Sequence, residues 1–205
     1  MVTGCAFGTR LDGSLLLATT SVDRTVRLWD PNTGTPEPRA WSADACAADR
    51  CAFGTRLDGT LLLATTSRDE TVRLWDPTTG SPVGDALTGH TDMVTGCAFG
   101  TLPDGTLLLA TTSRDETVRL WDPATGEPVV DPLTGHTGAV TGCAFGTRPD
   151  GTLLLATTGW DKAARLWDPA TGAPVGDPLT GHTDMVTGCA FGARPGDTLL
   201  LATTG

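Results

Sequence analysis

A histidine, a carboxylate, a hydroxyl and an indole recur together twice in this chain. His90, Asp115, Thr111 and Trp121 make one set, and His136, Asp161, Thr157 and Trp167 make the next, each member displaced by 46 residues. Hydroxyl, imidazole and carboxylate are the ingredients of acyl transfer, in which the ring takes the hydroxyl proton and the carboxylate orients the ring. A hydrolase built this way predicts covalent labelling of Thr111 or Thr157 by an acyl-transfer probe. Yet a constellation that returns in successive copies suits holding each copy together better than unique chemistry. No oxyanion site or pocket is signalled beside either set.

The elements that must position these residues follow from the same spacing. Trp29-Asp30, Trp75-Asp76, Trp121-Asp122 and Trp167-Asp168 keep the 46-residue step, as do Cys5, Cys51, Cys97, Cys143 and Cys189. A fixed period in this range means one supersecondary unit stacked on its own copies. In the third copy, Val94 to Phe99 is β-prone and Pro103-Asp104-Gly105 makes a turn. Thr106 to Thr112 is a second strand, Ser113 to Glu116 a polar turn, and Thr117 to Trp121 a third strand. Asp122-Pro123-Ala124-Thr125-Gly126 breaks it, and Glu127 to Leu133 is expected as a shorter fourth strand. Four short antiparallel strands with no helical periodicity read as one propeller blade. Leu107-Leu108-Leu109 places apolar side chains on both faces, so both faces need covering by neighbouring sheets.

Gly89-His90, Asp115 and Trp121-Asp122, then Gly135-His136, Asp161 and Trp167-Asp168, resemble the WD40 repeat. The resemblance covers essentially the whole chain. It implies β-propeller blades and a non-catalytic protein–protein interaction scaffold. It also implies a hydrogen-bonded chain from Asp to His, His to hydroxyl and hydroxyl to indole N–H, tying the inter-blade linker to the strands. The donor and acceptor capacities of the four groups permit that order, and satisfied buried networks rigidify a core. The blades fall at about 2–41, 48–87, 93–133 and 139–179, with a half blade at about 185–205. Such an array is an open arc, or is closed only by oligomerisation.

Composition narrows the partners. With 14 basic against 24 acidic side chains the net charge is −10, which supplies no basic stripe for nucleic acid. No apolar run approaches a membrane span, and Met1 to Cys5 lacks the basic start of a secretory signal. Five of the six cysteines share one strand position, about 10 Å from their equivalents if sheets stack normally. That exceeds disulfide reach, so inert buried thiols and a cytoplasmic, reducing setting are expected. Cys46 falls in an irregular segment and is a candidate exposed thiol. The His and Cys spacings do not build a metal site, no phosphate-cradling loop is present, and no cofactor is expected. Arg27, Arg73, Arg119 and Arg165 recur beside Trp and read as exposed strand residues, with a ligand-binding ring as the lesser alternative. Asp92 and Asp184 read as solvated turn carboxylates.

Partner specificity belongs where the copies diverge. The residue before the turn Asp is Val22, Arg68, Arg114 and Trp160 in turn. Trp160 is an aromatic outside the Trp-Asp position and a candidate hot spot. Met93 and Met185, against Ala139, are further candidates on that rim. The first linker has Asp44 where later copies have His, so the network around Thr65, Asp69 and Trp75 is expected to be incomplete and loose. Met1 stands in register with Met93, and Gly205 with Gly159. The array thus spans four blades and half a fifth, where the WD40 family usually closes seven, requiring roughly 320 residues at this period. A fragment of a larger regulatory or signalling protein is the preferred reading. Self-assembly through uncovered blade faces is the alternative.

Overall fold

In the computed structural model every named element is a β-strand. The structure describes residues 1–42, 48–194 and 198–205. It divides into two compact units, Met1–Val94 and Thr95–Gly205.

Unit 1 holds two four-stranded antiparallel sheets, each in sequential order. The first is β1 (Val2–Thr9), β2 (Leu15–Ser21), β3 (Thr25–Trp29) and β4 (Pro36–Ser42). The second is β5 (Ala48–Thr55), β6 (Leu61–Ser67), β7 (Val72–Asp76) and β8 (Ser81–Pro82). At the unit boundary begins β9 (Val94–Thr101), which pairs with β10 (Leu107–Ser113) and through it β11 (Val118–Trp121). A further sheet in unit 2 comprises β12 (Val140–Thr147), β13 (Leu153–Gly159) and β14 (Ala164–Trp167). The last is the pair β15 (Gly188–Arg194) and β16 (Thr198–Thr204).

Register repeats with the sequence. Leu17 stands opposite Trp29, Leu63 opposite Trp75, Leu109 opposite Trp121 and Leu155 opposite Trp167. The Leu-Leu-Leu-Ala-Thr-Thr run makes the central strand because its β-branched and apolar side chains fill both faces of a covered sheet. The turn before it closes on glycine: Gly59 has φ +79° and donates to the Arg56 carbonyl at 2.8 Å. That left-handed conformation costs other residues steric strain. The turn after it instead places Arg24, Glu70, Glu116 and Lys162 at positive φ, between 64° and 69°. Asp23, Asp69 and Asp115 hold that turn, each accepting both the N–H and the hydroxyl of the Thr two residues on.

The expected fourth strand over Glu127–Leu133 is not continuous. It touches β11 only through isolated bridges at Trp121–Pro128 and Val118–Leu133, and the next copy repeats this at Trp167–Pro174 and Ala164–Leu179. The two bridges of each copy are out of register with each other, and the second copy shows the same break between Pro82 and Leu87, with Ala86 at the position of Pro132.

The core lies between consecutive sheets. In unit 1, Leu16, Ala18, Val26 and Leu28 pack with Ala48, Cys51, Leu61, Leu63 and Trp75. In unit 2, Ala110, Val118 and Leu120 pack with Val140, Leu155 and Trp167. Every residue of β6 and of β13 is buried. Full burial of each Leu there contributes roughly 1.5–3 kcal/mol.

Candidate functional site

The fourth copy assembles its polar set within unit 2. His136 arrives from the linker before β12, Thr157 from β13, Asp161 from the turn after it and Trp167 from the end of β14. His136 Nδ1 lies 3.0 and 2.9 Å from the two Asp161 oxygens, and its Nε2 lies 2.9 Å from Thr157 Oγ1. Trp167 Nε1 donates to the same hydroxyl at 2.9 Å. One protonation pattern satisfies all four groups: Nδ1–H donates to Asp161, and the Thr157 hydroxyl accepts from indole while donating to Nε2. Asp161 also accepts from the Thr137 N–H at 3.2 Å, which fastens the linker directly to the turn.

Burial governs the electrostatics. The side chains of His136 and Asp161 are 1 % and 6 % exposed. Desolvation holds the His136 pKa below its ordinary value, outweighing the upward pull of Asp161. The imidazole is therefore neutral at pH 7. Thr157 is fully buried, with both hydrogen-bonding roles of its hydroxyl occupied. A hydroxyl so enclosed has no approach for an acyl donor.

The indole–hydroxyl contact recurs in the first three copies: Trp29 to Thr19 at 2.9 Å, Trp75 to Thr65 at 2.9 Å and Trp121 to Thr111 at 2.8 Å. His90 is buried at the end of unit 1, while Thr111, Asp115 and Trp121 belong to unit 2. His182 Nε2 lies 2.8 Å from Thr203 Oγ1. Asp44 and Cys46 lie outside the described residues.

The variable rim residues are placed differently in the two units. In unit 1, Val22 is exposed on the turn after β2, and Arg68 pairs with Asp49 at 3.0 Å. Met93 is half-buried, its N–H donating to the Asp92 carboxylate at 2.6 Å. In unit 2, Arg114 and Trp160 meet, with the guanidinium carbon 5.6 Å from the ring centroid. Trp160 remains 48 % exposed, so the ring has a free face. Its turn is braced by three contacts: Trp160 N–H to the Ala139 carbonyl at 2.9 Å, Val186 N–H to the Gly159 carbonyl at 3.1 Å, and Lys162 Nζ to the Thr183 carbonyl at 2.8 Å. Exposed Met185 sits in that bracing segment, its N–H donating to the Asp184 carboxylate at 2.8 Å. Asp92 and Asp184 are exposed, each accepting only the N–H of the next residue among the contacts described above.

Two further expectations need correction. The cysteine position is not uniformly buried: Cys51 is, Cys97, Cys143 and Cys189 are half-buried, and Cys5 is exposed. Burial depends on the preceding sheet. Cys51, Cys143 and Cys189 each donate to its central-strand carbonyl, at Ala18, Ala110 and Ala156. Desolvation raises the Cys51 pKa to about 12 and that of Cys189 to about 11, which keeps both as unreactive thiols. The recurrent arginines are also not simply exposed. Arg27 is, but Arg119 and Arg165 are half-buried. Arg119 lies 6.0 Å from the Trp121 ring centroid, and Arg165 Nε lies 4.0 Å from Asp161 Oδ2.

A cavity of about 790 Å³ in unit 1 is lined by Arg10, Asp12, Glu37, Arg56 and Asp58 among others. Several of these charges are already engaged. Arg10 pairs with Glu37 at 2.6 Å, and Asp12 and Asp58 accept from Ser14 and Thr60.

Repeated antiparallel sheets, one with a buried histidine–aspartate–threonine–tryptophan chain fastening its linker to its strands, define a bladed all-β repeat protein. The family model for the WD domain, G-beta repeat, matches residues 2–30, 55–76, 80–122 and 127–168. The chain belongs to this WD40-repeat family, whose members typically serve as non-enzymatic scaffolds for protein–protein interaction. No curated protein matches it. Among the described residues no helix is long and apolar enough to cross a membrane.

Proposed function

We infer that this chain is a non-catalytic interaction scaffold that engages a protein partner through the rim of turns following the central strands. The observation that carries this reading is Trp160. Its ring is half exposed, stacked against Arg114 and mounted on a turn braced from both sides. A large amphipathic side chain held rigid before binding loses little entropy on contact, which is the property of an interface hot spot. Met185 adds a polarizable apolar contact beside it. Val22, Arg68 and Met93 are the corresponding variable positions of unit 1. Near-identical copies suit multivalent display, where weak contacts gain avidity.

In this reading the His136–Asp161–Thr157–Trp167 chain is structural, and His90, Thr111, Asp115 and Trp121 serve the same end. Support comes from the sealed Thr157 hydroxyl. The reading includes a cytoplasmic setting, supported by the free, raised-pKa thiols. The partner surface is protein rather than nucleic acid or membrane, in keeping with the acidic balance.

The test compares partners captured by the wild-type chain and by Trp160→Ser, with circular dichroism confirming equal folding. Loss of specific partners in the variant is expected. An unchanged partner set would remove Trp160 from the interface. Labelling of Thr157 by an acyl-transfer probe would instead revive the hydrolase reading.

A further inference from the structure

The turn that follows the central strand carries an arginine in two copies, Arg68 in the second and Arg114 in the third. The two side chains meet different neighbours. Arg68 Nε lies 3.0 Å from Asp49 Oδ2, a carboxylate supplied by the first strand of its own copy. The third copy has Thr95 at the position of Asp49, and that hydroxyl is spent on the Val140 carbonyl. Arg114 therefore lacks the acid that Arg68 uses. It is exposed, and its guanidinium meets the Trp160 ring instead, 5.6 Å from the centroid. A contact of this kind engages the charge and leaves the N–H donors unused. Among the described residues Arg114 has no hydrogen-bond or ion-pair partner.

The fourth copy removes acidic side chains from the same corner. Gly138 stands where the linkers before and after it have Asp92 and Asp184. A Cβ there would lie 3.3 Å from Trp160 Cβ, so an acid at this position would stand against the turn. Lys162 takes the place of Glu70 and Glu116 on the turn itself, and its ammonium donates to the Thr183 carbonyl at 2.8 Å. Glu116 and Asp184 are exposed on the flanking turns, and neither pairs with Arg114. Beside these charges lie the open face of Trp160 and the exposed side chain of Met185. The corner offers free guanidinium donors, a second cation and an apolar surface, on a chain whose net charge is −10.

We propose that this corner binds an acidic protein segment: Arg114 takes an aspartate or glutamate carboxylate of the partner, and an adjacent apolar side chain packs on Trp160. The chain holds its own precedent in the Arg68–Asp49 pair, where the same turn position engages a carboxylate through its guanidinium. A planar guanidinium meets a carboxylate with two parallel N–H···O bonds, which lysine does not reproduce. Arg114 and Lys162 together repel a basic segment, which adds selectivity against the wrong partner. The proposal rests on the reading of Trp160 as an interface residue and adds what the partner must present.

The test selects binders from a displayed library of random peptides on the intact wild-type chain, on Trp160→Ser and on variants of the exposed Arg114. Peptides that need Trp160 should be enriched in Asp or Glu beside an apolar side chain. Arg114→Glu should turn that enrichment toward Lys and Arg. One selected peptide, synthesised with blocked ends, is then compared with its amide form by calorimetry. Replacing the acid by the amide should weaken binding about tenfold, as should Arg114→Lys for the acidic form. Trp160-dependent peptides without acidic enrichment, or an Arg114→Glu variant that selects the same peptides, would overturn the proposal and leave the interface reading standing. A phosphoserine form that binds more tightly than the acid would overturn it in favour of phosphate. Recovery of no Trp160-dependent peptide would remove the interface reading itself, and the proposal with it.

Discussion

The second and fourth copies carry the same Trp–Thr contact and use their turn carboxylates differently. Trp75 reaches Thr65 and Trp167 reaches Thr157, both at 2.9 Å. In the second copy Asp69 closes its own turn, accepting from the N–H and hydroxyl of Thr71 at 3.1 and 2.6 Å. In the fourth copy Ala163 offers only its N–H, at 3.4 Å, and Asp161 also accepts from His136 and the linker. The indole–hydroxyl bond is therefore a property of the sheet. The carboxylate is adaptable, shared between the turn and the linker according to which donors are offered.

The largest separation between the two copies should come from His136→Leu. It leaves the Asp161 carboxylate buried without its main partner, at a cost of about 3 kcal/mol, whereas Asp69→Ala should cost about 1 kcal/mol as a lost turn cap. Urea denaturation reads both, and equal losses would erase the distinction. Trp75→Phe and Trp167→Phe should each cost ~1 kcal/mol for the lost donor. Unequal costs would show that the indole contact is not intrinsic to the sheet.

Acid should also divide the copies. The folded His136 pKa lies below its ordinary 6.5, so the unfolded chain takes up protons first and stability falls as pH drops below 6.5 toward the folded value. Asp69 behaves differently. Desolvation raises its pKa, but hydrogen bonds from Thr71 and Ser67 outweigh that and hold it below 3.8. Its contribution is complete above 3.8 and is lost only as pH falls through the lower folded value. A melting-temperature profile between pH 7.5 and 5 should slope in the wild type and flatten in His136→Gln.

The smallest effect expected is from Asp44→His, at the linker position equivalent to His90 and His136. A new imidazole hydrogen bond to Thr65 should raise stability by ~1 kcal/mol. An unchanged melting temperature would show that the second copy gains nothing from a linker histidine.

Much of this architecture is written in the 46-residue spacing. The central strand expected over Thr106–Thr112 is observed at Leu107–Ser113, and the third strand ends at Trp121 as read. What escaped depends on neighbours rather than on local pattern. Glu127–Leu133 has strand-like composition, but a register shift between its two ends leaves only isolated bridges. Cys5 and Cys51 share a sequence context and differ in burial because only Cys51 has a preceding sheet against it. The contacts of Phe53 with Gly8, Phe145 with Gly100 and Phe191 with Gly146, where a Cβ on the glycine would meet the ring, are legible only as an offset one short of the period, and nothing local marks either residue as a partner. Trp160 stood out by type, whereas its stacking on Arg114 required the turns of two successive copies to be brought side by side.

The glycines that receive these rings, Gly8, Gly100 and Gly146, have a consequence for how the chain folds. Phe53, Phe145 and Phe191 meet the same local surface, so the contact carries no address: a newly made sheet docks on any earlier copy with nearly the same local reward. Tandem arrays of near-identical units are prone to misassembly between the wrong neighbours. What selects the right one is the short linker, which brings the adjacent copy within reach before any other. Folding in chain order, one sheet at a time, would favour the adjacent pairing that the contact itself does not select.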